Sequence, residues 1–139
     1  MQSKKHHLVV AAVILHEGEI LCMQRGRTKF DYTSFKWEFP GGKIEQGETP
    51  EAALRREIRE EMDMEISVDR HLVTVDHEYP DFRITMSAYF CTPINGRSFT
   101  MNEHQASRWL QPLDLKSLDW AAADVPIVAK LIERKSEKA

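Results

Sequence analysis

Apolar residues run without interruption from position 8 to 15, LVVAAVIL, and give way to the polar turn His16-Glu17-Gly18-Glu19. A short run rich in valine and isoleucine and bounded by a turn predicts a buried strand over 7–15. A returning strand is expected over 20–25. Residues 26–36 are polar and mixed and read as an exposed loop. Trp37-Glu38-Phe39 reads as a short extended piece, which Pro40-Gly41-Gly42 is expected to break. Thr49 is a good N-cap, and Pro50 fits the first helical position, where its missing N–H does no harm. The helix should run to about Met62, because Leu54, Ile58 and Met62 recur every four residues as a stripe that can pack on a sheet. Partial alternation predicts strands over 64–77 and 82–92, joined by Tyr79-Pro80-Asp81. Asn95-Gly96 signals a hairpin. A last strand is expected over 107–110, a helical turn over 113–118 and a helix over 124–135. The charged tail, about 134–139, is expected to fray. Strands and helices mix without a regular βαβ alternation. That predicts an α+β fold, with a mixed β-sheet packed between helices.

Composition narrows the class. With 139 residues, the chain reads as one domain, 1–139, able to bury a core without staples. Hydrophobic residues are 42% and charged residues 29%, which excludes a disordered tail, a fibre and a multi-span membrane protein. A net charge of −3 offers no broad basic face for duplex nucleic acid. Lys4 and Lys5 before the apolar run resemble the start of a signal peptide, but no small-x-small site follows, so a strand is the expectation. Cys22 and Cys91 show no metal spacing and read as core thiols of a cytoplasmic protein.

The acidic excess sits in one segment. From position 48 to 65 there are seven acids and three bases, a net of −4, while the rest of the chain is near +1. On a helix, Glu57, Glu60 and Glu61 share one face, with small Ala53 in the same arc. Such a face is either solvated or a platform for a hard cation, since carboxylates this close repel unless a cation lies between them. The preceding Gly41-Gly42-Lys43 favours the second reading. Its backbone can turn tightly and expose amides and carbonyls beside a lysine, which suits a metal–polyphosphate substrate.

Residues 42–48, GKIEQGE, then seven residues, then Arg56-Glu57-Ile58-Arg59-Glu60-Glu61, resemble the Nudix box. The family pattern is G-x5-E-x7-R-E-U-x-E-E-x-G-U, with U a bulky apolar residue. It spans 42–64 here, and every charged position matches. Asp63 stands where the pattern has its last glycine. Asp tolerates the left-handed conformation better than most residues, so a small stability cost and intact activity are expected. The approach to the box, Trp37-Glu38-Phe39-Pro40, resembles MutT-type and CTP pyrophosphohydrolase-like members. So do Glu103-His104-Gln105 with Trp109, and the segment around Asp124.

The resemblance implies a Mg²⁺-dependent nucleoside triphosphate pyrophosphohydrolase, with Mn²⁺ able to substitute. The best expectation for the substrate is CTP, dCTP or a modified pyrimidine nucleotide. An 8-oxo-dGTP diphosphatase and a non-catalytic nucleotide-binding module are the alternatives. The implied metal ligands are Glu57, Glu60 and Glu61, with the Gly41 carbonyl and Glu103. Glu103 is implied either as a ligand or as the base that orients water. Arg56 and Glu48 are implied to orient the glutamates, with Gly42 supporting the box. Arg25 and Lys43 are candidates for phosphate contact. Asp124 is either the N-cap of the last helix or a contact to the base, and an ionised Asp would accept hydrogen bonds only. Phe82, Phe35 and Trp120 either stack on a base or pack. The histidines, His104 among them, read as surface or core residues. The expected partner is a small nucleotide, with no duplex nucleic acid and no membrane, for a monomer or homodimer.

Overall fold

The computed structural model describes residues 4–137. Seven strands and two α-helices follow in the order β1 (Lys5–His16), β2 (Glu19–Arg25), β3 (Trp37–Glu38), β4 (Gly41–Lys43), α1 (Pro50–Met62), β5 (Ile66–Glu78), β6 (Phe82–Pro93), β7 (His104–Leu110) and α2 (Val125–Glu137). Short 3-10 turns occupy Pro112–Ser117 and Ala122–Asp124. The strand path is β3-β2-β1-β6-β5, with β4 on β1 and β7 on β2. β1 and β2 pair only at the tip of their hairpin, Leu15 with Ile20 and His16 with Glu19. Below that tip the sheet opens, and the space between the two halves becomes a cleft.

From Val10 to Ile14 the apolar run in β1 is continuous because both of its faces are covered. Val10, Ala12 and Ile14 pack with Leu54, Ile58 and Met62 of α1, while Ala11 and Val13 pack with Ile127, Val128 and Leu131 of α2. β2 divides its side chains in the same way, Leu21 and Met23 toward α1 and Ile20 and Cys22 toward α2. Burial of each large side chain contributes roughly 1.5–3 kcal/mol, so the two helices are clamped to the sheet that carries the site. The expected arrangement, a mixed sheet between helices, is the one observed.

Thr49 caps α1 as the sequence predicts, its hydroxyl accepting from the Ala52 amide at 3.1 Å. Asp63 ends the helix in the left-handed region, at φ 50° and ψ 41°. Both cysteines are buried free thiols. No helix among the described residues is long and apolar enough to cross a membrane.

Several local expectations are corrected. Gly41–Lys43 does not break the chain but forms β4, antiparallel to β1, because a glycine lets the backbone lie against Val10 where a Cβ would collide with its carbonyl. Loop 26–36 is not simply exposed. Thr33 and Ser34 are buried and bond to Thr28 and to the Phe30 carbonyl. Asn95-Gly96 makes a turn with Gly96 at φ 86° but no hairpin, since β6 pairs with β1 and β5 while β7 pairs with β2. β7 begins three residues earlier than expected, at His104, because its pairing with β2 reaches Arg25. α2 starts at Val125 and runs to Glu137; residues 138 and 139 of the tail lie outside the described ones.

Candidate active site

The cleft between the two sheet halves has a volume of about 1040 Å³. Gly41, Gly42 and Lys43 of β4, Glu61 of α1 and Glu103 line it together with Arg25, Phe82 and Asp124. Eight of the residues singled out from the sequence therefore come to one cavity, though they are spread over most of the chain.

Glu61 is the anomalous group. It is 8% exposed, and its Oε2 is buried with no hydrogen-bond partner among the described residues. Burial, reinforced by the neighbouring carboxylates of Glu103, Glu57 and Glu38, pushes its pKa up to about 9. Glu103 reaches it because the preceding loop is pinned to the end of α1. The Thr100 amide donates to the Met62 carbonyl at 2.9 Å, and the Asn102 amide to the Glu61 carbonyl at 3.2 Å.

The other box residues stand behind the cleft wall. Arg56 donates from Nε to Glu48 Oε2 at 2.6 Å and from Nη2 to Glu48 Oε1 at 2.9 Å, a two-pronged pair. Its Nη1 reaches Glu57 at 3.0 Å and Glu60 at 3.2 Å. Glu48 also accepts from the Glu45 amide, and these bonds lower its pKa to about 2. Glu57 lies against Gly42, where a side chain would overlap its carboxylate. Glu60 is 60% exposed on its side chain and faces Arg56 rather than the cavity. Among the described residues no three Cys, His, Asp or Glu side chains are gathered closely enough to enclose a cation unaided. The unpartnered oxygen of Glu61, its repulsion by three further carboxylates and its place on the cleft wall beside Glu103 fit a hard divalent cation that takes its remaining ligands from substrate oxygens and water.

Asp124, also on the cleft wall, is buried, and its Oδ1 accepts from the Phe39 amide at 3.1 Å. Its carboxylate thus ties α2 to the β3–β4 connection, where the N-cap reading had it bond to α2 itself. Burial, with Glu38 nearby, holds its pKa well above the ordinary range. Phe82 stacks with Phe30 and packs on Tyr79 along the cavity wall. Trp120 is a packing residue, stacked on Phe39 with its indole N–H on the Leu115 carbonyl. Phe35 stands outside the cavity wall, exposed and at φ 61°.

Two cavity residues escaped the sequence reading. Glu38 pairs with Arg25 and with His104, and it raises the pKa of both Glu61 and Asp124. A charge inside the apolar Trp37-Glu38-Phe39 was the available signal. His104 stands in the Glu103-His104-Gln105 segment that resembles the family, but its role depends on a partner 66 residues away.

The NUDIX domain family model matches residues 5–131. The CTP pyrophosphohydrolase of Escherichia coli K12 is 35% identical over 120 residues, 86% of this chain and 87% of that protein. The 8-oxo-dGTP diphosphatase of the same organism is 32% identical, over 92% of this chain and 97% of its own. The solution structure of a MutT protein of the Nudix hydrolase family from methicillin-resistant Staphylococcus aureus 252 is 41% identical. It superposes with a TM-score of 0.75, covering 95% of this chain and 99% of that one.

Proposed function

The chain belongs to the Nudix family, and from that premise we propose that it hydrolyses nucleoside triphosphates to monophosphate and pyrophosphate, with a cytosine nucleotide preferred. The observation that carries this reading is the buried carboxylate of Glu61, whose Oε2 has no partner among the described residues, set in the same cleft as Asp124. One end suits a cation and a polyphosphate, the other a nucleobase edge.

In this reading Glu57, Glu60, Glu61 and Glu103, with the Gly41 carbonyl, hold Mg²⁺, for which Mn²⁺ can substitute. When bound, the cation offsets the charge of the phosphate oxygens, which otherwise repels the attacking water. Lys43 and Arg25 contact phosphate. Arg56, held by Glu48, orients Glu57 and Glu60. Phe82 lies against the base. Asp124 reads the base edge, where a carboxylate oxygen accepts from an exocyclic amine such as that of cytosine. The two buried free thiols support a reducing cytoplasm as the place of action.

A second reading, hydrolysis of 8-oxo-dGTP, is favoured by the relative of that name, which matches nearly the whole chain. A non-catalytic module is disfavoured, because all three box glutamates are retained. The test is product analysis with Mg²⁺ on CTP, dCTP, 5-methyl-dCTP, 8-oxo-dGTP, dGTP, ATP and ADP-ribose. Monophosphate plus pyrophosphate, fastest from a cytosine nucleotide, is expected. A higher kcat/KM on 8-oxo-dGTP selects the second reading, and no turnover of any triphosphate with either metal overturns both.

A further inference from the structure

Three side chains on adjacent strands form a linked series that the box does not include. His104 opens β7, and its Nε2 meets Glu38 Oε2 at 2.8 Å. The other oxygen of Glu38, Oε1, accepts from Arg25 Nε at 2.6 Å. β2 pairs with β3 on one side and with β7 on the other, and Arg25 stands opposite His104 where the register shifts after Gln24. Such an irregularity re-aims a side chain. The series runs from the interior outward, with side-chain exposures of 5% for His104, 15% for Glu38 and 41% for Arg25.

The chemistry fixes the order of the bonds. A carboxylate only accepts, so the imidazole proton sits on Nε2. Arg25 uses Nε for Glu38, which leaves Nη1 and Nη2 without a partner among the described residues. That edge carries paired N–H groups matched to phosphate oxygens. One bond from Arg25 alone would let the Glu38 carboxylate rotate. A second bond, from His104 to the other oxygen, sets its plane and with it the direction of the guanidinium.

We propose that His104 is a positioning residue, which through Glu38 aims the free edge of Arg25 at the substrate's phosphate oxygens. The proposal rests on the pyrophosphohydrolase reading for its substrate, but its geometry can be tested without turnover. It differs from a packing role in requiring that His104 act only through Arg25.

The test is a mutant cycle with His104→Phe, His104→Gln, Arg25→Ala and the Arg25→Ala/His104→Phe double variant. On the best triphosphate, His104→Phe should raise KM about tenfold with kcat within about twofold, as expected of a misaimed binding group. His104→Gln, whose amide can donate to Glu38, should recover most of the loss. In the Arg25→Ala background, His104→Phe should add less than about twofold, the non-additivity of residues in one network. The Arg25 Nε–H resonance in a ¹⁵N spectrum should be sharp in wild type and in His104→Gln and lost to exchange in His104→Phe. An undiminished effect of His104→Phe in the Arg25→Ala background, or an unchanged Arg25 resonance, overturns the proposal. If wild type turns over no triphosphate, the activity reading alone fails. The same cycle read as Kd for a non-hydrolysable triphosphate analogue, together with the resonance, still decides the role of His104. Should His104→Phe not fold, Glu38→Gln replaces it with the same expected changes.

Discussion

The Glu57 carboxylate fills the space that a side chain on Gly42 would take, while the neighbouring Gly41 lies against the Val10 backbone. The two glycines are adjacent in sequence and serve different ends. A methyl at Gly42 meets the mobile end of a side chain, so Gly42→Ala should fold with a loss below about 1–2 kcal/mol. It should nevertheless displace Glu57 and lower kcat/KM at least tenfold. A methyl at Gly41 meets backbone of a core strand, which cannot yield, and Gly41→Ala should cost about 3 kcal/mol or more. Thermal midpoints and kcat/KM of the two variants check this. Equal stability losses would contradict it.

Burial separates the roles of Glu60 and Glu61. Both are expected to support turnover, so Glu60→Gln and Glu61→Gln should each lower kcat by about 10² or more. Only Glu61 is held away from water among other carboxylates. In chelator, Glu61→Gln should therefore stabilise the fold, on the order of 1–3 kcal/mol, whereas Glu60→Gln, mostly exposed, should change it little. Calorimetry with and without Mg²⁺ reads both effects. A lower midpoint for Glu61→Gln in chelator would refute the repulsion argument.

The Arg56–Glu48 pair sets a dependence on acid. Arg56 depresses the Glu48 pKa to about 2 in the folded protein, against about 4.3 in an unfolded chain. The unfolded state then binds more protons between these values, so stability falls as pH drops through that window. The contribution is complete above about pH 4.3 and gone near pH 2. Glu48→Gln should lower the midpoint at pH 7, and its curve should meet that of wild type near pH 2. A constant gap across the acid range would show that Glu48 acts through something other than its charge.

Asp63 occupies the left-handed position in which the family pattern has glycine. A side chain there costs roughly 1–2 kcal/mol, less for Asp than for most residues. Glycine relieves this but has more freedom to lose on folding. Asp63→Gly should stabilise by a few tenths to about 1 kcal/mol and leave kcat within about twofold. Urea titration and steady-state rates test this, and a destabilised variant would mean that the Asp63 side chain contributes to the cap.

The sequence by itself determined the elements with a strong local signal and the family. Thr49-Pro50, the Leu54-Ile58-Met62 stripe and the spacing of the box glutamates each depend on neighbours within a turn or two, so they are legible without a fold. Tertiary structure decided what depends on distant partners. β4 exists because β1 lies beside it, although Pro-Gly-Gly alone reads as a breaker. Asp124 bonds to Phe39, 85 positions away, and its raised pKa comes from burial that no local pattern encodes. Glu60 and Glu61 are neighbours in the motif, yet the curvature of one helix turn leaves the first in solvent and the second in the cleft. The contacts of Glu38 and His104 arise only where β3, β2 and β7 lie side by side, because pairing between strands brings together residues that the chain order keeps apart.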